Sequence, residues 1–347
     1  MGKLRFDTAL EEQILIVGPA WVGDMVMAQS LFKALKSTNP GAHIDVLAPG
    51  WSAPLLARMP EVRAAVTAPF VHGQLQLKQR WRLARELRPR GYQRTIILPN
   101  SYKSALIPWF AGIPRRTGYV GEQRWGLVND IRRLNTHVLT MTVQRFVALA
   151  SARDDPTPTR ATIAPPALRT DSESAQRACA TLGLRVDRPV LTLCPGAEYG
   201  PAKRWPAHHF AEIARAKRRA GWQVWMLGSA RDSADCEAVR AIAGAECHNL
   251  SGRTTLEQAI DLLSLAALVV SNDSGLMHIA AALDRPLVAL YGSSDPEFTP
   301  PLSAHARIIW LGLECSPCFQ RNCPLEHLNC LNQLAPEQVL RAADTVL

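Results

Sequence analysis

The sequence predicts an α/β protein made of two doubly wound domains, each with a parallel sheet covered by helices on both faces. Three observations support this prediction. The 347 residues exceed what one hydrophobic core usually holds and suit two domains. Short apolar runs typical of buried strands alternate with stretches of helical periodicity. Both halves also open alike, with a buried strand that leads through a loop to a helix.

In the first half, the apolar run at residues 13–18 predicts the first strand. A turn follows, and apolar side chains then recur at helical spacing from Asp24 to Lys36. His43–Ala48 predicts the second strand, and Thr95–Leu98 predicts a later one. Strands separated by helices in this order pair in parallel, so the first half is predicted to be Rossmann-like.

The second half begins after Asp154–Thr170, a segment rich in Pro, Thr and Ala that predicts a domain boundary. Strands are predicted at residues 189–194, 222–227, 267–271 and 286–291. Helices are predicted at residues 206–221, after the capping box Thr254–Glu257, and at residues 274–283. We therefore expect an N-terminal domain over residues 1–170, a second domain over 171–330 and a C-terminal helix over 331–347, with the two domains facing across a cleft.

The composition, 47% hydrophobic and 20% charged, is ordinary for a soluble globular protein. No apolar run approaches the roughly 18–20 residues that a membrane span requires. The N-terminal segment, residues 1–13, is charged and lacks the apolar stretch of a signal peptide. We therefore expect a cytoplasmic protein whose eight cysteines are mostly thiols or metal ligands.

Charge is distributed unevenly along the chain. Residues 1–170 hold 23 Lys and Arg against 11 Asp and Glu, whereas residues 171–347 hold 16 against 19. The basic half is expected to meet an anionic partner, and nucleic acid, anionic lipid and a phosphorylated substrate all fit. Solvated arginines on helix faces, such as those between Lys78 and Arg94, explain part of the excess.

In sheets of this kind, ligands bind in the loops after the strands. Residues 271–278 join a buried strand to a helix with Gly275 in its first turn, where free N–H groups and the helix dipole suit a phosphate. The alternative is that Asn272, Asp273 and Ser274 are simple helix caps and that His278 is a structural histidine.

A second loop, residues 195–206, carries Lys203 and Arg204 just before a helix start. Positive charge there opposes the helix dipole, so a bound anion would relieve the arrangement. Lys203 is therefore a candidate for pairing a diphosphate, with a solvated surface lysine as the equal alternative.

The third loop, Gly18–Asp24, lacks the spacing of a dinucleotide fingerprint and has no Gly-Lys-Ser/Thr sequence, so it predicts neither NAD nor P-loop binding. A carboxylate at a helix start is usually a cap or a dipole partner. Asp24 nevertheless follows the first strand, where a base could take a proton from an attacking hydroxyl.

Together these loops resemble the heptosyltransferase family, which builds the inner core of lipopolysaccharide. The resemblance covers nearly the whole chain and rests on four motifs: Gly23-Asp24, residues 195–197 with 200–206, residues 271–278 and Pro286–Gly292. Within the family, residues 98–104 and 200–206 are most similar to the members that add the second heptose.

This resemblance implies a GT-B fold whose N-terminal domain takes the lipid acceptor and whose C-terminal domain takes the ADP-sugar. It implies single-displacement transfer, with inversion, from ADP-L-glycero-D-manno-heptose to a lipid A-Kdo2-heptose acceptor. Asp24 matches the catalytic base, and Lys203 matches a lysine that binds the donor phosphates. The motif beside the diphosphate and sugar corresponds to Asp273, Ser274, Gly275, Leu276 and His278. No cofactor is required.

Two further positions are assigned through the resemblance. Some relatives carry a pair of hydroxyl residues where this chain has Glu198-Tyr199, so those phosphate contacts are not carried over. Asp232 corresponds loosely to an acid that binds the donor nucleoside.

The resemblance also implies which anion the basic half binds: the phosphates and acidic sugars of the acceptor. The candidates are Lys103, Arg115, Arg116 and Arg124, with ordinary surface arginine as the alternative for each. We also expect peripheral contact with the anionic inner membrane at its cytoplasmic face. For residues 105–114, a buried helix is favoured over contact with lipid.

Four cysteines lie within sixteen residues: Cys315, Cys318, Cys323 and Cys330, with His327 nearby. Four thiols this close can bind Zn tetrahedrally. The spacing is not two Cys-x-x-Cys knuckles, and reduced thiols or a labile disulfide pair are favoured over structural Zn.

Two other functions remain open at this point. The same loops would serve a GT-B enzyme that uses another sugar nucleotide or another lipopolysaccharide acceptor. The basic half would also suit a non-catalytic nucleotide or nucleic-acid binder. The sequence contains no helix-turn-helix, zinc-finger or RNP signature, so nucleic acid is not expected as a partner.

Overall fold

The computed structural model describes residues 11–70, 73–153 and 155–347. Residues 1–10, which carry most of the N-terminal segment considered above, lie outside the described residues. Contacts divide the chain into two units: the first holds the chain up to Ala20 with Met27–Ala164, and the second holds Trp21–Val26 with Pro165–Leu347. Each unit contains one six-stranded sheet, and every strand pairing in both sheets is parallel.

The first unit has the strand order β3-β2-β1-β4-β5-β6. Its strands are β1 (Gln13–Val17), β2 (His43–Ala48), β3 (Val62–Thr67), β4 (Arg94–Ile97), β5 (Arg115–Tyr119) and β6 (Asp130–Arg132). Its helices are α1 (Val22–Thr38), α2 (Ala53–Leu56), α3 (Leu77–Leu87), α4 (Tyr102–Phe110) and α5 (Thr142–Val147). The first turn of α1, up to Val26, belongs to the second unit by its contacts.

The second unit has the strand order β12-β11-β10-β7-β8-β9. Its strands are β7 (Val190–Cys194), β8 (Gln223–Met226), β9 (His248–Asn249), β10 (Leu268–Asn272), β11 (Leu287–Tyr291) and β12 (Ala306–Trp310). Its helices are α6 (Ser172–Leu182), α7 (Ala207–Arg219), α8 (Ser233–Ala243), α9 (Leu256–Leu263), α10 (Gly275–Ala282), α11 (Asn329–Asn332) and α12 (Pro336–Asp344). The apolar face of α12 packs into the core of this unit through Val339 and Ala343.

The predicted strands are confirmed to within one or two residues, because each is a buried apolar run. The predicted capping box is wrong by one residue: Thr255 is the N-cap of α9, and Gln258, not Glu257, completes the box. The shift leaves Glu257 in the first turn, where its charge faces the helix dipole favourably.

The buried-helix prediction for residues 105–114 is confirmed only for its first part: Ser104–Pro108 are buried in α4, whereas Trp109 is 46% exposed and the helix ends at Phe110. Among the described residues, no helix combines the length and the apolar character needed to cross a membrane.

The order of the strands in the second unit locates a ligand edge. From β7, the chain builds outward through β8 and β9 on one side, and it returns to β10 on the other side before continuing to β11 and β12. A reversal of this kind is a topological switch point, where the loops after neighbouring strands part and leave a crevice. We call the carboxyl ends of β7, β8, β10 and β11 the C-terminal edge.

Candidate active site

Asn272, the last residue of β10, ties the long loop after β7 to the C-terminal edge. Its side-chain amide donates to the carbonyl of Pro195 over 2.6 Å, and its Oδ1 accepts from the backbone N–H of Trp205 over 3.1 Å. Both ends of the loop 195–205 are thus held on one buried side chain. The loop that carries Lys203 is therefore fixed in place.

Lys203 is the last residue of a short 3₁₀ helix, Pro201–Lys203, and pairs with Asp273, which directly follows β10. Its Nζ is 2.5 Å from Asp273 Oδ2, and the same oxygen accepts from Ser294 Oγ over 2.6 Å. Asp273 is 6% exposed, and Lys203 also faces the ring of Tyr199 at 5.0 Å from its centroid. Lys203 is therefore an ordered cation at the C-terminal edge and not a solvated surface lysine.

The N-terminus of α10 lies beside this pair and has no side-chain cap. Ser274 is the N-cap residue, yet it makes no capping hydrogen bond; its hydroxyl lies 3.3 Å from that of Ser271. Asn272 and Asp273 are committed to the loop and to Lys203, so none of the three polar residues caps the helix. The first N–H groups of α10 are left for a ligand, and the helix dipole favours an anion there.

The first turn of α1 packs against α10 through two glycines. A Cβ atom on Gly23 would lie 2.6 Å from Cδ2 of His278, and one on Gly275 would lie 2.7 Å from Cβ of Val22. Both distances are shorter than real Cβ contacts, so a larger residue at either position would displace its neighbour. Asp24 follows Gly23 in this turn, and its carboxyl is close enough to Lys203 and Asp273 for the charges of both to act on its pKa.

Burial raises the pKa of Asp24 from 3.8 to about 6; Lys203 lowers it and Asp273 raises it further. A carboxyl with a pKa close to neutrality is ionised at pH 7 and still able to accept a proton. This is the range expected of a general base.

His278 is buried, and burial lowers its pKa to about 4, with Asp273 and Lys203 acting in opposite directions. Its imidazole is therefore neutral at pH 7 and presents one N–H donor and one acceptor. In this state it does not add to the charge of Lys203.

Asp232, the candidate for the donor nucleoside, is buried after β8. Its Oδ2 accepts from the backbone N–H and the hydroxyl of Ser229 over 2.8 and 2.7 Å, which closes a capping box. Gly196 and Gly228 pack so closely on it that a Cβ on Gly196 would lie 2.2 Å from the carboxyl carbon. Asp232 therefore lies at the C-terminal edge, and its nucleoside role stays a prediction.

The two residues that replace the hydroxyl pair of some relatives have partners of their own. The hydroxyl of Tyr199 donates to the carbonyl of Phe319 over 2.5 Å, and Glu198 forms an ion pair with Arg231 at 2.9 Å.

The arginines predicted for the acceptor lie in the first unit and are largely engaged within it. Arg124 is 2% exposed and donates to the carbonyls of Pro99 and Tyr119. Arg116 donates to three carbonyls, those of Ile113, Gly126 and Leu127. Arg115 pairs with Asp130 at 3.3 Å, and Lys103 lies half-buried in α4. The contacts of the three arginines indicate structural roles, and acceptor binding by any of the four residues stays a prediction.

The cysteine cluster lies in a segment without helix or strand until α11 begins at Asn329. All four thiols are free; Cys330 is buried and the other three are half-buried. Burial raises the pKa of Cys330 to about 11, and the charges of Cys315, Cys318 and Cys323 add to the shift. Within the described ranges, no group of three or more His, Cys, Asp or Glu is arranged to hold a metal ion. The preference for reduced thiols or a labile disulfide pair over structural Zn stays a prediction.

The sequence analysis did not identify Ser294, although its hydroxyl shares an oxygen of Asp273 with Lys203. One signal was present: Ser294 follows the predicted strand at residues 286–291, and loops after parallel strands meet at one edge.

Two parallel α/β units, with an ion-paired cation and an uncapped helix N-terminus at one sheet edge, are the arrangement of the GT-B class of glycosyltransferases. The profile of glycosyltransferase family 9 (heptosyltransferase) matches residues 80–329. The chain belongs to this family, and it is an enzyme.

Similar proteins cover nearly the whole chain. Lipopolysaccharide heptosyltransferase 2 of Salmonella typhimurium is 49% identical over 310 residues, which are 86% of this chain and 88% of that protein. Lipopolysaccharide heptosyltransferase 2 of Escherichia coli is 44% identical over 346 residues, 96% and 98% of the two chains. The solved structure of E. coli ADP-heptose lps heptosyltransferase II superposes with a TM-score of 0.85 at 42% identity, covering 96% of this chain and 98% of that one.

Proposed function

We propose that this protein transfers heptose from ADP-heptose to the first heptose of the lipopolysaccharide inner core, on a lipid A-Kdo2-heptose acceptor. The observation that carries the proposal is the grouping of Asp24, Lys203 and the uncapped N-terminus of α10 at one sheet edge. The two relatives named lipopolysaccharide heptosyltransferase 2 support the choice of sugar and acceptor.

The residues of this edge meet the two requirements of a single displacement. Asp24, with its pKa of about 6, takes the proton from the acceptor hydroxyl as the oxygen attacks the anomeric carbon. The departing ADP gains negative charge, which Lys203 and the N–H groups of residues 274–276 stabilise. Attack from the face opposite the leaving group inverts the configuration of the anomeric carbon.

Each of the two substrates is assigned to one domain. In the proposal, the second domain, residues 171–330 with the C-terminal helix 331–347, binds ADP-heptose, and the N-terminal domain, residues 1–170, binds the acceptor. The basic charge of the N-terminal half suits the phosphates and acidic sugars of that acceptor.

The proposal includes peripheral contact with an anionic membrane at its cytoplasmic face. Helix α3 supports this part, because Leu77 and Trp81, four residues apart, are 48% and 47% exposed on one face. Exposed cations surround them, and the guanidinium of Arg85 stacks on Trp81 at 4.9 Å. Exposed apolar side chains among cations are typical of helices that lie on anionic lipid surfaces.

The membrane contact is tested by sedimentation with vesicles. The wild type is expected to bind vesicles that contain phosphatidylglycerol and not pure phosphatidylcholine vesicles. Its binding to the phosphatidylglycerol vesicles is expected to fall severalfold in the double variant Leu77→Ala/Trp81→Ala. Trp125→Ala, which removes an exposed tryptophan outside α3, is the matched control and should bind like the wild type. Equal binding by all three proteins would remove α3 from the proposal.

The transfer reaction is tested directly. The protein is incubated with ADP-heptose and a one-heptose lipid A acceptor, and released ADP and the mass of the acceptor are measured. Formation of ADP together with an acceptor one heptose heavier is the expected result. Transfer only with another sugar nucleotide or acceptor would show that the protein is a glycosyltransferase with a different donor or acceptor. ADP binding without any transfer would favour a non-catalytic nucleotide binder.

A further inference from the structure

We propose that Ser294 is a positioning residue of the donor site, which holds the carboxylate of Asp273 so that Lys203 can turn between that carboxylate and the donor diphosphate. This inference rests on the proposed function, because it assumes that Lys203 meets an ADP-sugar.

The placement of the two residues follows from the sheet. Strands β10 and β11 are neighbours, Asp273 comes one residue after β10, and Ser294 comes three residues after β11. Their side chains meet at the C-terminal edge, where Ser294 is 4% exposed. The hydroxyl donates to Asp273 Oδ2 over 2.6 Å, the same oxygen that Lys203 contacts. Ser294 thus touches the carboxylate that holds the cation.

A buried carboxylate is stable only while its oxygens are paired. The lysine ammonium is a point charge on a flexible stem, so it fixes the rotation of a carboxylate poorly. A hydroxyl anchored in a buried loop is directional and does fix it. Ser294 therefore sets the orientation of Asp273, and through it the position of the Lys203 ammonium.

The bond matters most when the donor binds. As the ammonium of Lys203 turns toward the diphosphate, the carboxylate of Asp273 shares this ammonium with the donor or loses it. The hydroxyl of Ser294 stays on the carboxylate at this moment and lowers the cost of releasing the lysine. The effect of Ser294 is therefore expected in donor affinity, since the hydroxyl contacts neither the attacking nor the departing oxygen in this arrangement.

The chain provides a matched control at the next position. Ser293 is 1% exposed, and within the part of the chain that the structure describes its hydroxyl has no hydrogen-bond partner. Its carbonyl accepts from the N–H of Phe319 over 2.7 Å, a bond that alanine preserves. Ser293→Ala therefore removes an equally buried hydroxyl without removing a bond.

The experiment compares wild type, Ser294→Ala, Ser294→Thr and Ser293→Ala by ADP titration calorimetry, by KM and kcat for ADP-heptose, and by Tm. We expect Ser294→Ala to raise the Kd for ADP and the donor KM about 5- to 30-fold, with a smaller change in kcat. Ser294→Thr keeps the hydroxyl and should restore most of the affinity. Ser293→Ala should lie within about twofold of wild type.

A coupling measurement separates positioning from general stability. If Ser294 acts through Lys203, the effects of Ser294→Ala and Lys203→Ala on ADP affinity should not add, and the double variant should bind like Lys203→Ala alone. Ser294→Cys keeps the volume with a weaker donor and gives the same test should the alanine variant fold poorly.

Three outcomes decide the matter. Wild-type ADP affinity in both Ser294→Ala and Ser294→Cys would overturn the inference and leave the proposed function intact. Equal losses in Ser293→Ala and Ser294→Ala would also overturn it, since any buried hydroxyl would then serve. A wild-type protein that does not bind ADP would overturn the proposed function, and the inference would fall with it.

Discussion

The cations of the two units differ in what they are bonded to. In the first unit, Arg124 and Arg116 donate to backbone carbonyls of their own fold, and Arg115 pairs with Asp130. In the second unit, Lys203 is held by one carboxylate beside an uncapped helix N-terminus. The first unit carries the larger positive charge, yet the second has the more defined anion site. The comparison teaches that the bonding of a cation, more than the number of cations, locates a binding site.

The largest expected effect concerns Asp24, the carboxyl that lies near Lys203 in the second unit. Asp24→Asn keeps the shape of the side chain and removes its ability to accept a proton. We expect turnover to fall by about 10²- to 10⁴-fold while the Kd for ADP stays nearly unchanged, as measured by ADP release and calorimetry. Turnover close to wild type would show that another group is the base.

The arginines of the first unit are tested by stability. Arg124→Ala removes the guanidinium donor from the buried carbonyl of Tyr119 and leaves the carbonyl of Pro99 with the Ser104 hydroxyl alone, so we expect a loss of about 1–3 kcal/mol in the free energy of unfolding, measured with urea. Arg85→Ala, on the exposed face of α3, is the control and should change it by less than about 0.5 kcal/mol. Normal stability combined with a raised acceptor KM would instead place Arg124 in the acceptor site.

The third prediction concerns Lys203, the cation expected to contact the diphosphate of the donor. Lys203→Ala should raise the Kd for ADP about 10- to 150-fold, because it removes a charge-assisted contact with phosphate. Arg231→Ala removes an exposed cation that pairs with Glu198 and should leave the affinity unchanged. If both variants bind ADP alike, the contrast between the buried ion pair of Lys203 and the exposed ion pair of Arg231 is wrong for this site.

A pH profile tests the electrostatics of Asp24. The base must be deprotonated, so kcat/KM should be constant above its pKa of about 6 and fall about tenfold per pH unit below it. Asp24→Asn should lose this limb of the profile in whatever activity remains. A wild-type profile that is flat from pH 4 to 7 would contradict the raised pKa.

The smallest expected effect is on the stability of Asp24→Asn, which should rise at neutral pH although the turnover of this variant falls. Because burial raises the pKa of Asp24 from 3.8 to about 6, the folded state binds its proton more tightly than the unfolded chain does. The stability associated with this residue therefore falls as the pH rises between those values. Asp24→Asn should have a higher Tm than wild type at pH 7, and the difference should shrink toward pH 4 in calorimetric scans. A lower Tm at pH 7 would contradict this reasoning.

Much of the second unit could be predicted because its strands are local apolar runs. Residues 268–272 and 287–291 are buried throughout and needed no knowledge of distant partners. The three loops at the strand ends could be located for the same reason. The family resemblance then supplied the expected roles of Asp24 and Lys203, which spacing alone left open.

The remaining features depend on contacts between residues far apart in the chain. The bond of Ser294 to Asp273 spans 21 positions, and that of Lys203 to Asp273 spans 70. Neither leaves a periodic signal in the sequence. The burial of Arg124 was missed for a similar reason, because arginine is usually exposed and only its carbonyl partners make the buried site acceptable.

The grouping of Trp21–Val26 with the second unit has a consequence for protein engineering. A chimera that exchanges C-terminal halves between homologues at residue 165 would carry over α10 and leave the recipient's own first turn of α1 against it. The fit of Gly23 on His278 tolerates little change at that junction. Recombination that keeps each unit intact therefore needs three crossovers, after residues 20, 26 and 164, so that the six-residue segment is transplanted together with the C-terminal half.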